Sequence, residues 1–181
     1  MSVSPRSYTP YLQLTKLRRL TICVGTARAA RVCLAAAFEY VMKREAFGKP
    51  LIDQPVVRHR LAKCGAEVEA LDAWVQQFVY QVTNLKKEVA DVELGGLTAM
   101  CKAKSGMVLE QVASTATVLF GGNGMTRSGM GELVEKIYRE VPGSRIPGGS
   151  EDVLLDLGVR QLLKNFKAKT KALENSAGAK L

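Results

Sequence analysis

Three short segments hold the residues whose types and spacing could do chemistry. Arg44-Glu45-Ala46-Phe47-Gly48-Lys49-Pro50-Leu51-Ile52 sets a guanidinium three residues before an aromatic ring. Phe120-Gly121-Gly122-Asn123-Gly124-Met125-Thr126 holds adjacent glycines at the end of an apolar run. Ile137-Tyr138-Arg139-Glu140 leads into Ile146-Pro147-Gly148-Gly149-Ser150. A guanidinium fork matches the paired oxygens of a pyrophosphate, and residues without a Cβ let a ligand approach the backbone closely. Both features have plainer uses. Arg44 could cap the end of a helix beside a core phenylalanine, and Gly121-Gly122 could be a simple helix stop.

Other chemistry is poorly supplied. His59 is the only histidine, and Cys23, Cys33, Cys64 and Cys101 show no C-x-x-C spacing, so no metal site is expected. The cysteines fall on apolar helical stripes and read as buried reduced thiols rather than a disulfide framework.

The elements that must position these segments are helices. Val57, Leu61, Cys64, Val68, Leu71, Val75, Phe78, Val82 and Leu85 follow a 4-3-4-3 spacing that keeps one stripe facing a partner. Leu20, Cys23, Ala27, Ala30, Leu34, Ala37 and Val41 trace an earlier stripe. Leu94, Leu97, Cys101, Ser105, Val108, Val112, Thr115 and Leu119 trace a later one. Thr9-Pro10 supplies an N-cap with proline at the first helical position, and Gly48-Lys49-Pro50 a stop, predicting a first helix over 10–45. The third stripe predicts a helix over 88–120, weakened early by Gly95 and Gly96. A short helix over 132–140 follows, broken by Pro142-Gly143 and Pro147-Gly148-Gly149. Ser150 is then placed to cap a last helix through 167, with Glu151 and Asp152 in its first turn. The expected fold is all-α, an antiparallel four-helix bundle with short extra C-terminal helices. The expected limits are a loosely ordered N-terminus over 1–9, the bundle over 10–168 and a flexible basic tail over 169–181.

Composition sets the outer bounds. At 181 residues the chain can bury one substantial core, and its 47% hydrophobic and 24% charged content with mean hydropathy near zero is that of an ordinary soluble domain. No apolar run of the roughly 20 residues needed to span a membrane is apparent, and no signal-peptide core is seen, so an intracellular address, cytoplasm or organelle matrix, is expected. The net charge of +9 attracts polyanions, whether a nucleotide pyrophosphate, the phosphates of coenzyme A or DNA, without choosing among them.

Together the three segments, in this order and separated by long helices, resemble the C-terminal helical domain of the acyl-CoA dehydrogenase and oxidase family over about 17–166. Phe47 to His59 and Tyr138-Arg139-Glu140-Val141-Pro142 look most like the branch containing the DNA-alkylation-response flavoprotein. The resemblance implies FAD as cofactor, with Arg44, Phe47, Gln54, Gly121, Gly122 and Ser150 on the flavin side. Arg44 and Phe47 would reach a flavin bound mainly by a neighbouring subunit. It implies acyl-CoA as substrate, fatty acid metabolism as setting, and a homo-oligomer, dimer or tetramer. Val118, Pro55 and Asp152 depart from the family's hydrogen-bonding groups around FAD.

The family's base, a glutamate, stands either in the loop, here Gly148, or on the first helix, here Arg18 with Arg19 beside it on the substrate side. Neither position holds a carboxylate, and Glu151 is the nearest acid. Three functions follow from the resemblance: a dehydrogenase-like flavoprotein represented by its C-terminal bundle and inactive alone, a non-catalytic oligomerising module, or a nucleic-acid-associated relative of the alkylation-response branch.

Overall fold

A computed structural model describes residues 9–178 of the chain, with side chains over 17–175. The expected N-terminal segment before Thr9, and the capping side chain of Thr9 itself, lie outside the described residues. Five helices follow in order: α1 (Thr9–Lys43), α2 (Pro55–Asn84), α3 (Lys87–Phe120), α4 (Glu132–Arg145) and α5 (Glu151–Gly178). The fold is all-α, with α1, α2, α3 and α5 as its long members.

Each stripe buries as its spacing requires. Val57, Leu61, Cys64, Val68, Leu71, Val75 and Phe78 are all buried on α2, while Leu85 ends that helix as a C-cap and is exposed. Burying side chains of this size stabilises the fold by roughly 1.5–3 kcal/mol each. Cys23, Ala27, Ala30, Ala37 and Val41 line the inner face of α1, joined by Cys33 and Tyr40. All four cysteines are buried and unpaired.

α3 is the axis of the molecule and packs against all four other helices. α1 runs parallel to it, with Cys23 beside Cys101 and Tyr40 stacked on Phe120 at 4.1 Å. α5 runs antiparallel, bringing Leu154 to Ala99 and Ala103, and Asn165 Nδ2 to the Val92 carbonyl at 2.7 Å. α1 and α2 are tied by Arg31, which meets Glu69 at 2.7 Å and Asp72 at 3.5 Å. Gly96 is explained by the α3–α5 crossing: a Cβ there would lie 2.8 Å from the Gly158 carbonyl oxygen, so the local loss of helix propensity permits close packing.

Four expectations need correction. α1 stops at Lys43 rather than residue 45, because Glu45–Ala46 (β1) pairs with Lys49–Pro50 (β2) in a small antiparallel hairpin. Its two turn residues, Phe47 and Gly48, have φ of 57° and 74°, the positive values a type I′ turn demands. α4 continues through Pro142 to Arg145, although the proline has no backbone donor to give the helix. α5 extends to Gly178, well beyond residue 167, with Lys169 pairing Glu93 at 2.7 Å. Finally, one segment, Leu17–Lys43, is long and apolar enough to cross a membrane by length and composition alone. Of that window 33% is buried inside the bundle.

Candidate functional site

The sequence-predicted residues fall into two groups at separate places on the bundle. The first sits where α1 and α3 end. The backbone N–H of Arg44 still bonds the Tyr40 carbonyl at 2.8 Å, and its side chain is exposed. Three residues on, the hairpin turn thrusts Phe47 out: the ring is 96% exposed. An aromatic residue held in the left-handed region and given no burial is doubly unfavourable for an isolated domain. Gln54 starts α2, its carbonyl accepting from Val57 at 3.0 Å and Arg58 at 3.2 Å, with Pro55 at the first helical position.

Across from the hairpin, Gly121 closes α3 with φ of 59°, and nothing lies within 4 Å of where a Cβ would stand on Gly121 or Gly122. Their open side is free for a ligand. Behind them Asn123 Nδ2 donates to the Tyr40 hydroxyl at 3.1 Å, and the Tyr40–Phe120 stack braces the floor. A cleft of about 570 Å³ lies here, lined by Glu39, Tyr40, Lys43, Arg44, Phe120 and Met130. Of the sequence-predicted residues only Arg44 lines this cleft; Phe47 and the Gly121-Gly122 backbone are exposed outside its lining.

The second group surrounds the loop between α4 and α5. Gly148 and Gly149 have φ of 77° and 113°, a path that suits glycine. Arg19 Nε donates to the Gly148 carbonyl at 3.2 Å. Thus the loop meets the first helix through Arg19, the substrate-side residue, whereas Arg18, the base position on that helix, is exposed and has no hydrogen bond to the loop among the described residues. A Cβ on Gly148 would lie 3.0 Å from Ile22 and 3.7 Å from Arg19. Burial draws the Arg19 guanidinium below its ordinary range.

Lys102 was not singled out by the sequence, yet it anchors this loop. It is 1% exposed, and its ammonium donates to the carbonyls of Arg145 and, at 2.8 Å, Gly149. Burial lowers its pKa, partly opposed by Cys23. A lysine adjoining Cys101 on a helix buried nearly all round was the available signal, since a charge in such a place must find acceptors. Beneath it, the Cys23 thiol is drawn below its ordinary range by a hydrogen bond with Cys101, against the effect of burial.

Ser150 contributes its carbonyl to the start of α5, accepting from Leu154 at 3.0 Å. Glu151 is engaged elsewhere: it is ion-paired to Arg145, which also holds Glu110 at 2.6 Å. Its other oxygen, Oε2, is buried without a hydrogen-bond partner among the described residues. A cleft of about 530 Å³ beside this pair is lined by Tyr138, Arg139, Arg145, Ser150, Glu151 and Asp152. No carboxylate stands at Gly148 or Arg18, and the nearest acid in sequence is committed to a structural ion pair.

Comparison with known proteins identifies the family and the fold. Residues 12–163 match the family model described as acyl-CoA dehydrogenase, C-terminal domain. The chain is 66% identical over 155 residues to acyl-CoA dehydrogenase apdG of Emericella nidulans, covering 86% of this chain and 35% of that protein. It is 32% identical over 150 residues to acyl-CoA dehydrogenase AFT10-1 of Alternaria alternata, covering 82% of this chain and 35% of the relative. The solved acyl-CoA dehydrogenase of Geobacillus kaustophilus superimposes with a TM-score of 0.75 at 25% identity, over 84% of this chain and 38% of that one. The chain therefore spans about a third of the length of the curated relatives it matches.

Proposed function

We propose, from the fact that this chain belongs to the acyl-CoA dehydrogenase family as its C-terminal domain, that it forms one wall of a flavin site completed by a second copy and by further protein. The family is FAD-dependent, and FAD when bound supplies the acceptor for a hydride. The residues of this chain bind and orient. Arg44 offers its guanidinium to the pyrophosphate, Phe47 covers the nucleotide, and Gly121-Gly122 admit its ribose to the backbone.

The supporting observation is the separation of the two residue groups. Arg44, which directly follows α1, is 25 positions beyond Arg19, about 37 Å at roughly 1.5 Å per residue. A single extended flavin dinucleotide does not bridge that distance within one copy. Two copies arranged with the hairpin of one against the loop of the other bring both groups to the same ligand. Phe47 supports this arrangement independently, since its strained and exposed ring gains burial only from a neighbour.

The activity we propose for the whole assembly is α,β-dehydrogenation of an acyl-CoA thioester. This chain by itself holds no carboxylate at Gly148 or Arg18 to take the α-proton, and Glu151 is tied to Arg145. Turnover is therefore expected to be absent from the isolated chain, even with flavin and an electron acceptor supplied. Flavin titration with light scattering tests the proposal. Self-association is expected at about 10 to 100 μM, with FAD bound no tighter than about micromolar, roughly −8 kcal/mol, and weaker still after Phe47→Ala. A clean monomer, or FAD binding indifferent to both Phe47→Ala and Arg44→Gln, would refute it.

A further inference from the structure

We infer that Cys23 and Cys101 form a modification site, a dithiol that hydrogen peroxide closes into a disulfide joining α1 to α3. The inference starts from how the four cysteines are distributed. All are unpaired and none is more than 1% exposed, yet they fall as two neighbouring pairs. Cys33 faces Cys64 across α1 and α2, where burial, followed by Cys64, pushes the Cys33 thiol up to about 12. Cys23 faces Cys101 across α1 and α3, with the Ser105 hydroxyl and the Lys102 ammonium beside it. A thiolate at Cys23 is thus met by a donor, Cys101, and by positive charge, Lys102, the features that activate a cysteine. Cys101 is shifted the opposite way, first by the same hydrogen bond and then by burial. One thiol of the pair is prepared to attack and the other to resolve.

Access comes through the loop between α4 and α5. A Cβ on Gly148 would stand 3.0 Å from Ile22 Cδ1 and 3.9 Å from Lys102 Cε, so the loop lies over the residues that adjoin Cys23 and Cys101 in sequence. Two bonds fasten it, from Lys102 Nζ to the Gly149 carbonyl at 2.8 Å and from Arg19 Nε to the Gly148 carbonyl at 3.2 Å, and local opening releases both. Hydrogen peroxide is close to water in size and needs a small opening, whereas glutathione disulfide needs a large one. The Cys23 thiolate attacks one peroxide oxygen: an S–O bond forms, the O–O bond breaks, and the departing hydroxide takes up the proton that Cys23 gave, leaving as water. The Cys101 sulfur then attacks the Cys23 sulfenic acid: the S–S bond forms, the S–O bond breaks, and the second oxygen leaves as water with the Cys101 proton. Both thiols are oxidised and one peroxide is reduced to water. The new bond joins the two helices whose ends carry the candidate site residues.

The test needs neither flavin nor acyl-CoA. The reduced full chain is treated with hydrogen peroxide, quenched with an alkylating agent under denaturing conditions and mapped by peptide mass spectrometry, while circular dichroism checks that it stays folded. The expected result is an intramolecular Cys23–Cys101 disulfide that forms about tenfold or more faster than any oxidation at Cys33 or Cys64, with glutathione disulfide unreactive at the same concentration. In Cys101→Ser, Cys23 should accumulate as the sulfenic acid and take up dimedone. In Cys23→Ser, Cys101 should stay reduced, and Cys33→Ser should leave the reaction unchanged. The inference is overturned if all four thiols oxidise together at the rate of global unfolding, or if the disulfide maps to another pair or links two chains. It is equally overturned if glutathione disulfide reacts as readily as peroxide, or if Cys23 proceeds to the sulfinic acid in the folded chain with Cys101 still a thiol. The map of the unaltered chain decides between these outcomes even where a serine variant fails to fold.

Discussion

Replacing Phe47 by asparagine should make the chain more stable, although it removes a large apolar side chain. The ring is 96% exposed, so its loss forfeits almost no buried area. Its φ of 57° places it in the left-handed region, which costs an ordinary residue roughly 1–2 kcal/mol. Asparagine tolerates that conformation, and Asn-Gly is a favoured pair for the two-residue type I′ turn that Phe47-Gly48 now occupies. Some strain persists with any side chain, so a gain of about 0.5–1 kcal/mol is expected. For a chain of this size that corresponds to a rise in Tm of roughly 1–4 °C. Denaturant unfolding followed by circular dichroism checks it, with the slope m unchanged if the compactness of both states is preserved. A second measurement on the same protein makes the test stringent: FAD affinity should fall as stability rises, because the ring that burdens the fold is assigned to the ligand. Equal or lower stability would refute the strain assignment, and unchanged FAD affinity would refute the role of the ring.

Further outcomes follow from the packing. Gly96→Ala should destabilise by about 1–3 kcal/mol despite alanine's higher helix propensity, since its Cβ meets the Gly158 carbonyl at 2.8 Å; the denaturation midpoint reports this. Leu154→Ala, which opens a fully buried site between α3 and α5, should cost about 2–5 kcal/mol by the same measurement. Lys102→Met should leave the Arg145 and Gly149 carbonyls without their donor and cost about 1–3 kcal/mol, with faster amide exchange concentrated in the α4–α5 loop. The Glu135 carboxyl is held below the usual glutamate range by its hydrogen bond to Arg139. Its stabilising contribution is therefore complete above that range and lost as pH falls through its lowered value, and Arg139→Gln should move its NMR titration up toward the ordinary range, with Arg127 at 3.6 Å still holding it down.

The long helices were legible because burial and helical period act on the same residues. The stripe from Leu94 to Leu119 located α3 to within one residue of its start and at its end, and Gly121 closes it as a glycine stop should. What escaped notice depended on contacts between distant segments. Gly48-Lys49-Pro50 looked like a terminator, but the chain turns there by pairing Ala46 with Lys49, and Phe47 offers no composition cue for a positive φ. Pro142 broke the local pattern without breaking α4, whose Val134 and Val141 are buried against the bundle. α5 continues past residue 167 through a polar stretch, where Lys169 meets Glu93. Within the candidate site, Arg44, Phe47 and the glycines were visible as motifs. Lys102 was hidden because its partners are carbonyls of residues more than forty positions away, and carbonyls carry no sequence signature.

Both groups of site residues are mounted on the same two parallel helices. α1 carries Arg19 and leads directly into Arg44; α3 carries Lys102 and leads directly into Gly121. Their spacing is therefore metred by helical rise rather than by adjustable loops. Inserting a single residue in either helix between these points would advance one end by about 1.5 Å and rotate it by about 100°, misaligning one pair of residues against the other. An insertion inside α1 or α3 is therefore expected to cost more than one in the Leu85-Lys86 connection, which lies outside both spans. The register of these two rods, more than any one residue upon them, is what a lineage of such chains has to preserve.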